Sequence, residues 1–157
     1  VFLEVMAKHE GAPISDGSSL GDIGCGSGAI ALSLAVRYPA CTVYAVDTNQ
    51  RARDICRENA TRNGLGNIVV LSPEEVDPAI RFATLWSNPP IRIGKSALHE
   101  LLELWLARLD TEGTAYLVVN KNLGADSLSQ WISGLSYPTT RLASRNGFRV
   151  LEVKAQS

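Results

Sequence analysis

Short apolar β-type runs and helical segments take turns along this chain, and that alternation limits it to one kind of architecture. Thr42–Val46 is a run of Thr, Val, Tyr and Ala, and Ile68–Leu71 is wholly aliphatic, so both read as strands. Ser19–Ile23, weakened by Gly21, Phe82–Trp86, stopped by Pro89-Pro90, and Tyr116–Val119 complete a set of five. Between them lie helical segments at Ala29–Arg37, Gln50–Arg62, Ala97–Leu109 and Asp126–Ile132. The second is closed by Asn63-Gly64, a helix-ending pair. The third places Leu98, Leu101, Leu102, Trp105 and Leu109 on one face. Arg141–Ser144 and Phe148–Val153 flank Asn146-Gly147, a hairpin signal. Such alternation predicts a doubly wound α/β fold: a mostly parallel seven-stranded sheet, helices on both faces, and a C-terminal hairpin adding one antiparallel strand.

The chain has 157 residues, which is one domain's worth. With 45% apolar and 20% charged residues it is neither a disordered chain nor a coiled coil, and no window of about 18 apolar residues offers a membrane span. The net charge of −1 excludes a protein that holds nucleic acid by charge alone. The halves differ: residues 1–80 carry 6 basic and 10 acidic side chains, residues 81–157 carry 9 and 6. An anionic partner is therefore expected at the second half. Cys25, Cys41 and Cys56 have no metal-binding spacing and read as reduced thiols of a cytoplasmic protein with no metal site and no signal peptide. A helical pattern (Phe2, Leu3, Val5, Met6) begins immediately after Val1. The expectation is a single domain over 1–157 that lacks a short N-terminal segment or an N-terminal domain.

Parallel sheets of this kind bind ligands outside the carboxyl ends of their strands, so the residues after each strand carry the chemistry. Asp22-Ile23-Gly24-Cys25-Gly26-Ser27-Gly28 joins the first strand to the next helix, where glycines permit a tight turn and close backbone approach to a ligand. Asp47 closes the second strand 23 residues after Gly24, the spacing at which an acid accepts both ribose hydroxyls of an adenosine cofactor. Its alternative role is to cap the following helix, a task open also to Thr48 or Asn49. Ser72-Pro73-Glu74-Glu75 follows the third strand and Asn88-Pro89-Pro90-Ile91 the fourth.

Glycine at alternate positions 24, 26 and 28, with an acid two residues upstream, resembles the first motif of the class I S-adenosylmethionine-dependent methyltransferases, whose fold is Rossmann-like. The resemblance implies that Asp22, Gly24, Cys25, Gly26, Gly28, Asp47, Thr48 and Glu74 hold S-adenosylmethionine. Pro73 stands where the family usually has an acid beside adenine, and Glu74 is the substitute. Asn88-Pro89-Pro90-Ile91 resembles the Asn-Pro-Pro-aromatic motif of enzymes that methylate planar nitrogens, with Ile91 in the aromatic position. An exocyclic amine is a poor nucleophile because its lone pair is delocalised. Two fixed acceptors, the Asn88 side-chain oxygen and the Pro89 carbonyl, localise that lone pair, and the rigid Pro-Pro unit holds them.

The run Trp86 to Lys95, the segment Asn120-Lys121-Asn122-Leu123 and the closing hairpin resemble the small-subunit ribosomal RNA guanine-N2 methyltransferases. The implied reaction is methyl transfer to guanine N2 in ribosomal RNA or the small ribosomal subunit, with Arg92, Lys95, Lys121 and Arg145 rimming the RNA side. Adenine or protein-glutamine amide methylation shares the same motif. A nicotinamide-dependent oxidoreductase and a non-catalytic RNA-binding relative are further alternatives. His9 and His99 have no partner at a metal or triad spacing; His99 reads as a surface or packing residue, and Trp86, Trp105 and Trp131 read as core residues.

Overall fold

The computed structural model describes residues 13–89, 94–121, 124–145 and 147–156. The helical pattern read at Phe2–Met6 lies outside them. Seven strands, β1 (Ser19–Ile23), β2 (Thr42–Val46), β3 (Ile68–Leu71), β4 (Phe82–Ser87), β5 (Leu109–Asn120), β6 (Thr139–Arg145) and β7 (Phe148–Lys154), form one sheet in the order β3-β2-β1-β4-β5-β7-β6. The first five are parallel. β7 is antiparallel to both β5 and β6, so β6 again runs with the parallel set and its turn into β7 lies at the carboxyl edge. The strand order reverses between β1 and β4, and that switch point opens the crevice in which such sheets bind ligands.

Two helices, α1 (Ala29–Arg37) and α2 (Gln50–Arg62), cover one face. Their buried Leu34, Ala31 and Cys56 pack with Leu20, Val43 and Val70. On the other face α3 (Lys95–Leu106) and α4 (Ala125–Gly134) bury Leu98, Leu102, Trp105, Leu128 and Ile132 against Phe82, Leu85 and Val119. α2 starts where the Asn49 side chain accepts the Ala52 N–H at 3.1 Å. It ends with Gly64 at φ +65° and the Leu65 N–H turned back to the Ala60 carbonyl, the stop that Asn63-Gly64 announces.

The third helix differs from expectation. It ends at Leu106, and Leu109 opens β5 instead, paired with Phe82. The chain reverses there because the Phe82 N–H captures the Arg108 carbonyl at 2.8 Å. Leu109 keeps helical periodicity only because it is buried in the same core from the strand side. β5 is also longer than Tyr116–Val119: its register with β4 jumps from Leu109 to Thr114, and Asp110–Glu112 in the gap are exposed. Gly21 does not weaken β1. A Cβ there would stand 2.5 Å from Leu85 Cδ2, so glycine is what lets β4 side chains pack over the strand. Among the described residues, no helix is long and apolar enough to cross a membrane.

Candidate methyl-transfer site

The loop after β1 continues the sheet for one more step: the Gly24 and Cys25 N–H groups both donate to the Val46 carbonyl, at 2.7 and 3.0 Å. The chain then turns with φ +80°, +53° and +93° at Gly24, Gly26 and Gly28, a left-handed region costly for any residue with a Cβ. A Cβ on Gly26 would meet nothing within 4 Å, and one on Gly24 only the Asn88 carbonyl at 3.9 Å. These two glycines therefore floor an open cradle, whereas Gly28 is pressed against α2, its Cβ position 2.6 Å from Cys56 Sγ.

Asp47 holds the cradle in shape. One carboxylate oxygen accepts the Gly26 N–H at 3.0 Å and the other accepts the Asn49 N–H at 2.9 Å. The helix-capping task falls to Asn49, not to Asp47 or Thr48. A carboxylate has about four acceptor sites, so two remain on Asp47 for hydroxyl donors. The Asp47 backbone is pinned in turn: its N–H donates to the Leu71 carbonyl and its carbonyl accepts from Arg53 Nη1 at 2.8 Å. Asp47 is half-buried, and Thr48 beside it is exposed.

Asp22 is 1% exposed. From β1 its carboxylate accepts the Ala31 N–H at 3.1 Å, anchoring the first turn of α1 behind the glycine loop. Burial pushes its pKa up to about 7, against the lowering effect of the Ala31 bond and with a further rise from the Asp47 charge. Cys25, in the same loop, is hydrogen-bonded to Cys56 and buried, and its thiol is pushed well above its ordinary range. The support that α2 gives the loop is not evident from sequence alone: besides Cys56, the Asn59 amide donates to the Ser27 carbonyl at 2.9 Å. Arg53, Cys56 and Asn59 stand three residues apart in turn, a stripe visible in the sequence once the loop is known to lie on it.

On the other side of the switch point, Ser87 Oγ donates to the Ile23 carbonyl at 2.9 Å in the core. That bond ties the end of β4 to the end of β1, immediately before Asn88 and the glycine loop. Asn88 is exposed and Pro89 is buried, so an accessible amide projects beside the cradle from a rigid base. Pro90, Ile91 and Arg92 lie outside the described residues. Glu74 is exposed in a short 3-10 turn after β3. Its neighbour Glu75 is engaged, accepting the Ser72 N–H and hydroxyl at 2.9 Å each, which holds its carboxyl below the ordinary range.

Lys95 begins α3 and Lys121 follows β5, both exposed at the carboxyl edge. Arg145 ends β6 at that same edge, as the parallel direction of β6 requires. A fourth basic residue there, Arg149, reads in the sequence only as part of a strand. Its side chain is 11% exposed and paired with Asp126 in the first turn of α4, while its Nε is buried without a hydrogen bond. Its register opposite Val119 places it, and no sequence pattern shows that.

The fold and this cradle define a class I methyltransferase domain, and comparison with known proteins agrees. Residues 1–152 match the model of the methyltransferase small domain family, and the chain belongs to that family. It is 33% identical over 136 residues to YbxB of Bacillus subtilis, covering 85% of this chain and 68% of that protein. It is 35% identical over 112 residues to the ribosomal RNA small subunit methyltransferase C of Aeromonas hydrophila, covering 69% of this chain and 32% of that enzyme. It is 39% identical over 82 residues to the release factor glutamine methyltransferase of Vibrio cholerae, covering 50% and 28%. The chain thus spans about two thirds of YbxB and about a third of either named enzyme. Among solved structures, a methyltransferase from Pyrococcus furiosus superposes with a TM-score of 0.78 at 19% identity, covering 99% of this chain and 81% of that one. SMU.1697c from Streptococcus mutans, in complex with SAH, superposes at 0.68 with 18% identity, covering 90% of each. S-adenosylmethionine is the methyl donor of this class. The open glycine floor and the spare acceptors of Asp47 suit its adenosine and amino-acid parts.

Proposed function

We propose that this domain methylates an exocyclic amine of a nucleobase, guanine N2 in ribosomal RNA, with Asn88 and Pro89 as acceptors for the amine protons. S-adenosylmethionine, when bound, supplies an electrophilic methyl group on a sulfonium. Gly24, Gly26 and Asp47 hold the cofactor, with Asp22 and Cys25 fixing the loop from behind and Thr48 and Glu74 at its rim. The Asn88 side-chain oxygen and the Pro89 carbonyl accept the two N–H bonds of the amine, which turns its lone pair out of conjugation and toward the methyl. One amine proton is then released to solvent. Orientation and electrostatics supply the rate, with no nucleophilic side chain.

The observation that carries this reading is the Ser87–Ile23 tie, which fixes an exposed Asn88 beside the glycine cradle at the sheet's switch point. The exposed Lys95 and Lys121 at the same edge favour RNA over a protein amide. The test is transfer of labelled methyl from S-adenosylmethionine to small-subunit RNA, naked and in assembled particles, beside a release factor. Label mapped to guanine N2 supports the reading, and label on a release-factor glutamine or on adenine overturns it.

A further inference from the structure

A cavity of about 160 Å³ lies at the amino edge of the sheet, the edge opposite the glycine cradle. Register fixes its place. Thr84 in its lining pairs with Leu20 near the start of β1, and Asp110 and Glu112 belong to the start of β5. Leu34 and Arg37 from the second half of α1 cover it, and the segment before β1 closes a third side. Drug-sized pockets begin at roughly 300 Å³, so this one takes a short-chain molecule and not a nucleotide.

Inside it one hydroxyl is unsatisfied. Thr84 is 4% exposed, and its Oγ1 is buried without a hydrogen bond. Thr84 stands two residues before Trp86 on β4, so both side chains project from the same face of the sheet, the face that packs on α1. Native proteins rarely leave a buried hydroxyl unpaired, and one that faces a cavity marks a position for a ligand atom.

The mouth is acidic. Asp110 and Glu112 belong to the exposed stretch that the β4–β5 register skips. Asp110 commits Oδ1 to the Thr111 N–H at 2.8 Å and keeps its other oxygen, and among the described residues neither carboxylate is ion-paired. Farther along the same face Glu152 lies opposite Tyr116, and burial followed by the Glu152 charge pushes the Tyr116 phenol up to about 12. Arg37, the basic residue of the lining, has its guanidinium 5.7 Å over the Tyr38 ring. An anion entering here would meet two carboxylates. A metal ion would leave the apolar wall unused, and among the described residues no three metal-ligating side chains gather anywhere. An ammonium group offers three donors to the carboxylates. A carbon chain behind it would lie on Leu34 and on the stacked Trp86 and Tyr116 rings, whose centroids are 4.4 Å apart. A second charge at the buried end would be costly there, so the group that meets Thr84 is neutral.

We propose that this cavity is a second ligand site, for a short aliphatic amino alcohol whose ammonium binds Asp110 and Glu112 and whose hydroxyl pairs with Thr84. The site is separate from the cradle and independent of the substrate that the methyl-transfer site takes.

The test titrates the protein with 4-amino-1-butanol, butylamine and 4-hydroxybutyrate, with S-adenosylhomocysteine saturating so that none enters the cofactor site. NMR shifts of the Trp86 indole and the Thr84 methyl report binding, and the Gly26 amide serves as the control at the cradle. The expected result is saturable binding of the amino alcohol, butylamine weaker by about fivefold for want of one neutral hydrogen bond, and no binding of the anion. Glu112→Gln, at an exposed position, should weaken both amines by about tenfold or more. Thr84→Val keeps the shape of the side chain and should bring the amino alcohol and butylamine to equal affinity. Should Thr84→Val fail to fold, the three ligands and Glu112→Gln still decide. Shifts that do not saturate, that the anion reproduces, that move Gly26 instead, or that Glu112→Gln leaves unchanged overturn the proposal and leave the cavity to water.

Discussion

The Asp47 carboxylate accepts the backbone N–H of Gly26 at 3.0 Å, a bond that spans 21 positions in sequence and joins the ends of two adjacent strands, β1 and β2. The acid placed to meet ribose is thereby also the strut of the glycine cradle. Cofactor affinity and loop shape depend on one side chain.

Replacement Asp47→Ala removes both roles. Loss of charge-assisted bonds to two hydroxyls should weaken S-adenosylhomocysteine binding by roughly 2–3 kcal/mol. The freed Gly26 N–H should also lower the melting temperature by a few degrees, because about 1 kcal/mol shifts a domain of this size by roughly that much. Calorimetry with a parallel thermal melt checks both. Unchanged affinity would remove Asp47 from the cofactor site.

Asp22 ties stability and binding to pH. Its pKa is raised from the ordinary carboxyl range to about 7, so the folded protein holds a proton that the unfolded chain has released. Stability contributed by this group is therefore full below about pH 4, falls as pH rises toward about 7, and is level above that. A cationic donor bound nearby favours the ionised form. S-adenosylmethionine should bind more tightly above about pH 7 than at about pH 6 and release a proton from Asp22. Asp22→Asn should abolish this step and flatten the stability profile. Denaturant melts and isothermal titrations at several pH values, in buffers of different ionisation heat, read both effects.

Ser87→Ala leaves the Ile23 carbonyl without its partner in the core, which should cost about 1–3 kcal/mol in urea unfolding. Because this bond fixes the strand end that carries Asn88, kcat should fall while S-adenosylhomocysteine affinity holds. A variant that loses stability but keeps full kcat would show that Asn88 is placed by other contacts.

Lys95→Ala with Lys121→Ala tests the carboxyl-edge rim. If both side chains meet RNA phosphates, each substitution should reduce the slope of log affinity against log salt by about 0.7–0.9. The rate at saturating RNA should change little if these residues hold the backbone alone. An unchanged salt slope would place the RNA surface elsewhere on the protein.

Much of this architecture is legible in the sequence because it is local. Ala29–Arg37 and Gln50–Arg62 are read with the bounds they have, since the glycine turn, the Asn49 cap and the Asn63-Gly64 stop mark their ends. The hairpin signal at Asn146-Gly147 announces the antiparallel β6–β7 pair, but the direction of β6 against the rest of the sheet is set by the pairing of β7 with β5. What escapes is set by neighbours in space. Leu109 is apolar on helical spacing and yet belongs to a strand, because burial from either element has the same hydrophobic pattern. Arg149 is one charge in a strand until the register puts it beside Asp126 at the start of α4. His99 and Trp131 are distant in sequence and meet only because two helices share one face of the sheet. The choice between Asp47 and Asn49 as helix cap is likewise decided by geometry: the Asp47 oxygens are already turned toward Gly26 and the Asn49 N–H.

Asn88 is the residue on which the proposed chemistry most directly depends. With the natural RNA substrate and saturating S-adenosylmethionine, Asn88→Ala should lower the rate of methyl transfer by about 10²–10³, the loss expected for one preorganised acceptor. S-adenosylhomocysteine affinity, measured on the same preparation, should stay close to that of the unmodified protein. A parallel loss of rate and cofactor affinity would make Asn88 a structural residue of the cradle, and an unchanged rate would contradict the assignment of the amine acceptor altogether.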